Sequence, residues 1–213
     1  NHAVKAHVSG LKPREQYYYR FATRSHSSTV GRFRTLPPAD SKETIEFAFF
    51  SCQEYAHGWY NAHDVMAKGD YDFVVCLGDY IYAETYTSKK AGNGVREDKI
   101  GRENPANKSI VREAVTLADY RDKYSLYRSD KSLQKVHAKF PMIVLWDDHE
   151  VQDNWAGAAP GGGLDAIKKF SAARKAAATK AFFESNPSFA GANRRRLYRS
   201  IPFGGTVELI AMD

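Results

Sequence analysis

Asp72-Phe73-Val74-Val75-Cys76-Leu77-Gly78-Asp79-Tyr80-Ile81-Tyr82 is the stretch that decides the fold. Asp72 to Leu77 reads as one continuous apolar strand that stops at Gly78-Asp79. A strand that is apolar along its whole length, rather than at alternate positions, belongs to a parallel sheet covered on both faces. Upstream, Ile45 to Phe50 is a second apolar run with one interruption, bounded by Ser51-Cys52-Gln53, and a helical stretch from about Gly58 to Lys68 separates the two. Strand, helix, strand in this pattern predicts a βαβ unit. Downstream, Met142 to Trp146 is a third apolar strand ending at Asp147-Asp148, and Thr206 to Met212 a fourth, ending at Asp213.

Between these strands the pattern varies. Residues 83 to 115 are polar and rich in Gly, Asn, Lys and Arg, which predicts a long surface excursion. Leu117 to Lys139 reads as helix, with Tyr120, Tyr124 and Tyr127 on one face as core packing. A Gly-rich loop at 160 to 163 precedes an Ala/Lys helix expected over Leu164 to Glu184. Before residue 37 the signal is β: Ala3 to Val8, Tyr17 to Ala22 and Val30 to Thr35 read as short strands, with a turn at Gly10-Leu11-Lys12-Pro13. Three strands cannot close a sandwich. Residues 1–36 are therefore expected to be the last strands of a β-sandwich whose earlier strands are missing. Residues 37–44, opening with Pro37-Pro38-Ala39-Asp40-Ser41, read as a stiff linker, and residues 45–213 as an α/β domain.

The bulk composition narrows the class. With 43% hydrophobic and 26% charged residues, the chain is globular rather than disordered. No apolar run approaches the roughly 20 residues needed to cross a bilayer. A charged-then-apolar secretion signal is absent at Asn1, as in a mature or trimmed product. The net charge of +6 makes the surface attractive to anions. Its sharpest cluster, Arg194-Arg195-Arg196 with Arg199, is expected to be a solvated basic loop. Cys52 and Cys76 each lie in apolar, strand-like runs, so a disulfide framework is not indicated.

The chemistry sits at the strand ends. Cys52, Asp79, Asp147 with Asp148, and Asp213 each follow an apolar strand, and the C-terminal ends of parallel strands share one edge, where ligands bind. Carboxylates converging there repel one another, and cations relieve that repulsion. Tyr82, three residues past Asp79 and beyond a Gly, can return a phenol to the same point. A tyrosinate oxygen suits a trivalent cation such as Fe(III). Cys52 at the same edge becomes a candidate thiolate ligand. Asn154 offers a neutral oxygen to a hard cation such as calcium. His149 could donate a proton to a leaving alkoxide or bind a phosphate oxygen.

Ser51-Cys52-Gln53, Leu77-Gly78-Asp79-Tyr80-Ile81-Tyr82 and Trp146-Asp147-Asp148-His149-Glu150-Val151 resemble the alkaline phosphatase D (PhoD-like) family of metallophosphatases. Gly31-Arg32-Phe33-Arg34-Thr35-Leu36-Pro37 resembles the exit of that family's N-terminal β-sandwich. The resemblance implies a metallophosphatase-like layered α/β sheet, incomplete here, preceded by the last strands of a fibronectin III-like sandwich. It also implies phosphomonoesterase or phosphodiesterase activity on a phosphate ester substrate, an iron (Fe3+) and calcium (Ca2+) centre, and export to a secreted or periplasmic location. Carried over by position, Cys52 and Tyr82 would bind the iron, Asp79 would bridge the metals, and Asp147 and Asn154 would bind calcium. Position 76 more usually holds His in the family and is Cys here. The family continues beyond the strand ending at Asp213, where its remaining ligands lie, so the chain is expected to be a fragment whose isolated activity is incomplete.

Three other readings compete. A non-catalytic basic module holding anionic polymers draws on the net charge, and on aromatic residues interleaved with basic ones from Tyr17 to Arg24. No recognised nucleic-acid motif accompanies them. An inactive fragment would expose apolar surface and an unpaired sheet edge. A cysteine hydrolase built on Cys52 and His149 has acidic neighbours that oppose thiolate formation, and no Gly-x-Ser-x-Gly elbow marks a serine enzyme.

Overall fold

The structure, a computed structural model, describes residues 4–86, 96–104, 110–159, 171–186 and 197–212. Its N-terminal part holds one antiparallel hairpin, β1 (Gln16–Tyr19) with β2 (Gly31–Arg34), and an isolated bridge between Ala22 and Ser27. The strand expected over Ala3 to Val8 does not form in its described residues. Val4 and Val8 are exposed there, with nothing to pack the weak alternation against.

The parallel sheet forms as expected, with shorter strands. β3 (Phe47–Phe50) leads through a 3-10 turn at Tyr55–His57 and α1 (Asn61–Met66) to β4 (Phe73–Cys76). After β4 the chain makes β5 (Glu84–Tyr86), β6 (Arg102–Glu103), β7 (Ile110–Glu113), α2 (Leu117–Arg128) and α3 (Lys131–Lys139). It then returns as β8 (Met142–Val144), followed by α4 (Ala172–Ser185) and the pair β9 (Arg199–Phe203) and β10 (Val207–Ala211). The strand order is β3-β4-β8, all parallel, with β4 central.

Both faces of β4 are covered, which is why its sequence is apolar throughout. Phe73 and Val75 face the β9–β10 pair, where the Phe73 and Phe203 rings stack at 4.2 Å. Val74 packs on Val136 and Phe140 of the α3 side, and Cys76 joins the large aromatic core with Tyr80, Tyr120, Tyr124 and Tyr127. Burying each of Phe73, Val74 and Val75 stabilises the fold by about 1.5–3 kcal/mol.

Three expectations change. The fourth strand is no member of the parallel sheet: β10 pairs antiparallel with β9, and Asp213 lies outside the described residues. β10 is covered on one face only, with Glu208 and Ile210 exposed, so its apolar run records neither two-sided burial nor direction. In its described residues the excursion over 83–115 holds a small sheet of order β5-β7-β6. Its polarity misleads because the polar groups are paired inside: Lys123 Nζ donates to Asp98 and to Thr85 Oγ1 at 2.7 Å, and Asn104 Nδ2 to Glu113 Oε1 at 2.6 Å. The helix expected over 117–139 is two helices. Asp130 caps the second by accepting from Ser132 N–H (2.8 Å) and Leu133 N–H (3.0 Å), which ends the first. The Gly-rich loop, the first part of the Ala/Lys helix and Arg194-Arg195-Arg196 lie outside the described residues. Among the described residues no helix is long and apolar enough to cross a membrane.

Candidate metal centre

The pairing of β3 with β4 continues past the strand ends. Leu77 N–H donates to Phe50 O at 2.9 Å, Cys52 N–H to Gly78 O at 3.4 Å, and Gln53 N–H to Asp79 O at 3.3 Å. Cys52 is thereby held beside Asp79, with its Sγ 3.4 Å from Asp79 Oδ2. Tyr82 Oη donates to the same Oδ2 at 3.3 Å. Three sequence-predicted ligands thus meet at one oxygen.

The backbone bends to bring them there. Cys52 (φ 55°), Asp79 (φ 53°) and Asn154 (φ 53°) adopt left-handed conformations, and Arg14 is the remaining non-glycine example among the described residues. The conformation costs Cys52 on the order of 1–2 kcal/mol and costs Asp79 and Asn154 less, since short polar side chains tolerate it, and strain of this kind gathers at functional sites. Gly78 serves a related need. A Cβ there would lie 2.6 Å from Asp147 Cβ and 2.7 Å from its backbone nitrogen, so the Asp79 and Asp147 turns touch only because residue 78 has no side chain.

Glu150 clips the two turns together. Buried, it accepts from Asp147 N–H (2.7 Å) and Asp79 N–H (3.1 Å) at Oε2, and from Tyr80 N–H (2.6 Å) at Oε1. His149 completes the group: its N–H donates to Asp79 Oδ1 at 3.4 Å, and its ring stacks on Tyr82 at 4.0 Å. Its Nδ1 lies 2.9 Å from Glu84 Oε2, while Nε2 faces Asp148 (3.9 Å) and Asp153 (3.8 Å). The phenol tips of the core tyrosines steady the surrounding loops. Tyr127 Oη accepts from Tyr82 N–H at 3.1 Å, and Tyr120 Oη donates to Val151 O at 2.6 Å.

The remaining predicted ligands stand at the mouth. Asp147 is exposed and held through its backbone by Glu150. Asn154 is exposed, with its N–H on Asp148 Oδ2 and its Nδ2 donating to Asp153 Oδ1 at 2.9 Å. The donor atoms of Asp79, Asp148 and His149 all lie within 4.8 Å of one another, so geometry adds Asp148 to the set read from sequence.

Electrostatics favour a cation. Burial raises the Asp79 pKa; His149 and Cys52 oppose this, yet with Asp148 and Asp147 alongside it stays raised. Burial also raises the Tyr82 pKa, and the Asp79 charge and Cys52 push the same way. The His149 ring is pulled down by burial but pushed up to about 9 by Glu84, Asp79 and Asp148. A thiol, a phenol and two carboxylates crowded on a half-open edge fit a bound metal, which would replace proton for charge at each of them. A cleft of about 660 Å³ elsewhere, lined by Tyr19, Phe33, His137 and Asn186 among others, contains none of these residues.

Comparison with known proteins agrees. The model of the PhoD-like phosphatase family matches residues 47–213, and that of its N-terminal domain matches residues 1–37. The chain belongs to the PhoD-like phosphatase family. Alkaline phosphatase D of Bacillus subtilis (strain 168) is 39% identical over 217 residues, which cover 100% of this chain and 35% of that protein. The solved structure of PhoD superposes with a TM-score of 0.77 at 37% identity, over 94% of this chain and 37% of the other. This PhoD-like chain therefore shares that fold and spans about a third of the length of the curated relative it matches.

Two residues of the site went unread in the sequence. Glu150 stands inside the Asp-Asp-His-Glu motif, where a carboxylate pointing back at its own turn looks like one pointing outward. Glu84 carries no signal, since it lies in a polar segment with nothing to mark it as buried.

Proposed function

We propose that this chain supplies part of the metal centre of a phosphoester hydrolase acting on phosphate monoesters or diesters. Cys52 and Tyr82 would hold iron as Fe(III), Asp79 would serve both metals, and Asp147 and Asn154 would hold calcium, with Asp148 close enough to assist. The observation that carries this reading is the convergence of Cys52 Sγ and Tyr82 Oη on Asp79 Oδ2, on a backbone strained at Cys52, Asp79 and Asn154. A hard, highly charged cation suits the phenolate and carboxylate, and a thiolate forms readily beside it.

A bound cation supplies Lewis-acid polarisation of phosphate oxygens and a lowered pKa for water. The chain's own groups do the rest. Glu150 holds the Asp79 and Asp147 turns at fixed separation, and the buried tyrosines beneath them keep the floor dry. His149, with Nδ1 committed to Glu84, presents Nε2 to the open side, where it hands a proton to the departing ester oxygen. The reading includes a secreted or periplasmic location, carried by the family likeness. The arginine cluster of the basic-module alternative, Arg194-Arg195-Arg196, lies outside the described residues.

The test has two arms. Fe(III) added to the metal-free chain should produce a visible phenolate-to-iron absorption band that Tyr82→Phe abolishes. The longer protein that carries this chain, loaded with iron and calcium, should release p-nitrophenol from mono- and bis-p-nitrophenyl phosphate, and a chelator should stop it. Loaded protein with neither band nor chelator-sensitive release would end the proposal.

A further inference from the structure

We infer that Glu84 is a positioning residue that sets which nitrogen of His149 faces the site and fixes the backbone turn leading to Asn154. Glu84 is fully buried, and both of its oxygens are engaged by donors. Oε2 receives His149 Nδ1 at 2.9 Å. Oε1 accepts from Asp153 N–H at 2.9 Å and lies 3.6 Å from Arg174 NH2. Arg174, itself buried on α4, is anchored by Tyr120 Oη (2.9 Å) and Glu113 (3.4 Å). One carboxylate thus ties helix α4 to both ends of the His149–Asn154 turn.

The hydrogen-bond inventory makes the role specific. Every neighbour of Glu84 named above comes as a donor, and a carboxylate accepts on both oxygens. A glutamine of the same shape accepts on one only. Its oxygen is held by the Asp153 N–H and the nearby Arg174 charge, so its NH2 faces His149 Nδ1. That nitrogen must then lose its hydrogen and accept, which leaves Nε2 with the one remaining ring hydrogen. The native arrangement is the carboxylate–histidine pair by which outer groups orient a working imidazole.

The catalytic arm of the test rests on the hydrolase reading above, and the spectroscopic arm does not. In metal-free, histidine-15N-labelled chain, His149 should show a downfield, slowly exchanging Nδ1–H resonance, assigned by its loss in His149→Asn. Glu84→Gln should lose that resonance while its far-ultraviolet circular dichroism stays native. In the metal-loaded longer protein that carries this chain, Glu84→Gln should lower kcat about 10–100-fold with KM unchanged. A wild-type spectrum without the Nδ1–H resonance overturns the inference with no variant needed. So does a folded Glu84→Gln that keeps it. Loss of the resonance with wild-type kcat would overturn the catalytic half alone, and an inactive wild type with the expected spectra would count against the hydrolase reading instead.

Discussion

Asp72 stands just before β4 and Asp79 just after it, and they are treated in opposite ways. Both are nearly inaccessible, 8% and 5% exposed. Asp72 accepts from Glu46 N–H at 3.0 Å, from Arg34 NH1 at 2.9 Å and from Arg14. Burial alone would raise its pKa, but the Glu46 amide and the two arginines bring it below the ordinary value. Asp79 has a thiol, a phenol and two more carboxylates for neighbours, and although His149 opposes the effect of burial its pKa stays raised. Where the carboxylate is structural, here latching the N-terminal hairpin to the sheet, the chain brings its own counter-charge. Where a ligand is to be bound, the chain's own counter-charge, from His149, falls short, and the rest is left to come from outside.

The largest way to break this contrast is to remove the clip that holds the anionic turns together. Glu150→Ala leaves the N–H groups of Asp79, Tyr80 and Asp147 without their acceptor. A buried donor left unmet costs about 1–3 kcal/mol, so a loss of about 3 kcal/mol or more in urea unfolding is expected, along with loss of iron uptake. A variant that kept both would show that the Asp79 and Asp147 turns are held apart and together by something else.

The strand ends were legible in the sequence because hydrophobic burial and turn chemistry are local. Phe73 to Cys76 must be covered on both faces, and Gly78-Asp79 must turn, whatever else the chain does. Buried polar pairing is not local. Glu84, Glu113 and Lys123 look like surface residues until Arg174, Asp98 and Thr85 are placed beside them from distant segments. For the same reason the 83–115 segment read as an excursion, and His149 could be seen as a proton donor without the residue that aims it. Strand direction was hidden too: Val207–Ala211 is as apolar as a parallel strand, but its partner β9 contains Arg199 and Pro202 and gives no strand signal of its own.

A matched pair of substitutions sharpens the contrast. Asp72→Asn removes the charge that Arg14 and Arg34 meet and should cost about 2 kcal/mol in unfolding free energy, as for a hydrogen bond to a charged group. Asp79→Asn keeps an acceptor for His149 N–H, suits the left-handed backbone and relieves crowding with Asp147 and Asp148. Measured in chelator, it should raise stability by about 1 kcal/mol, the usual trade at a binding site, while abolishing metal uptake. Equal losses from the two would mean that Asp79 is an ordinary buried carboxylate.

The smallest effect is the pH dependence of the Asp72 latch, and its sign follows from the depressed pKa. An aspartate stabilised in the folded state contributes fully above its unfolded value of about 3.9, and the contribution is lost as pH falls through the lower folded value. The gap in urea midpoint between wild type and Asp72→Asn should therefore hold constant from about pH 7 to 5 and narrow below about pH 4. Arg14 and Arg34 keep about a quarter of their side-chain surface exposed, so added salt should shrink the same gap only in part. A gap that narrowed on raising the pH from 5 to 7 would place the hold on Asp72 in a group other than its arginines, and the two ends of β4 would no longer be a contrast of supplied and withheld charge.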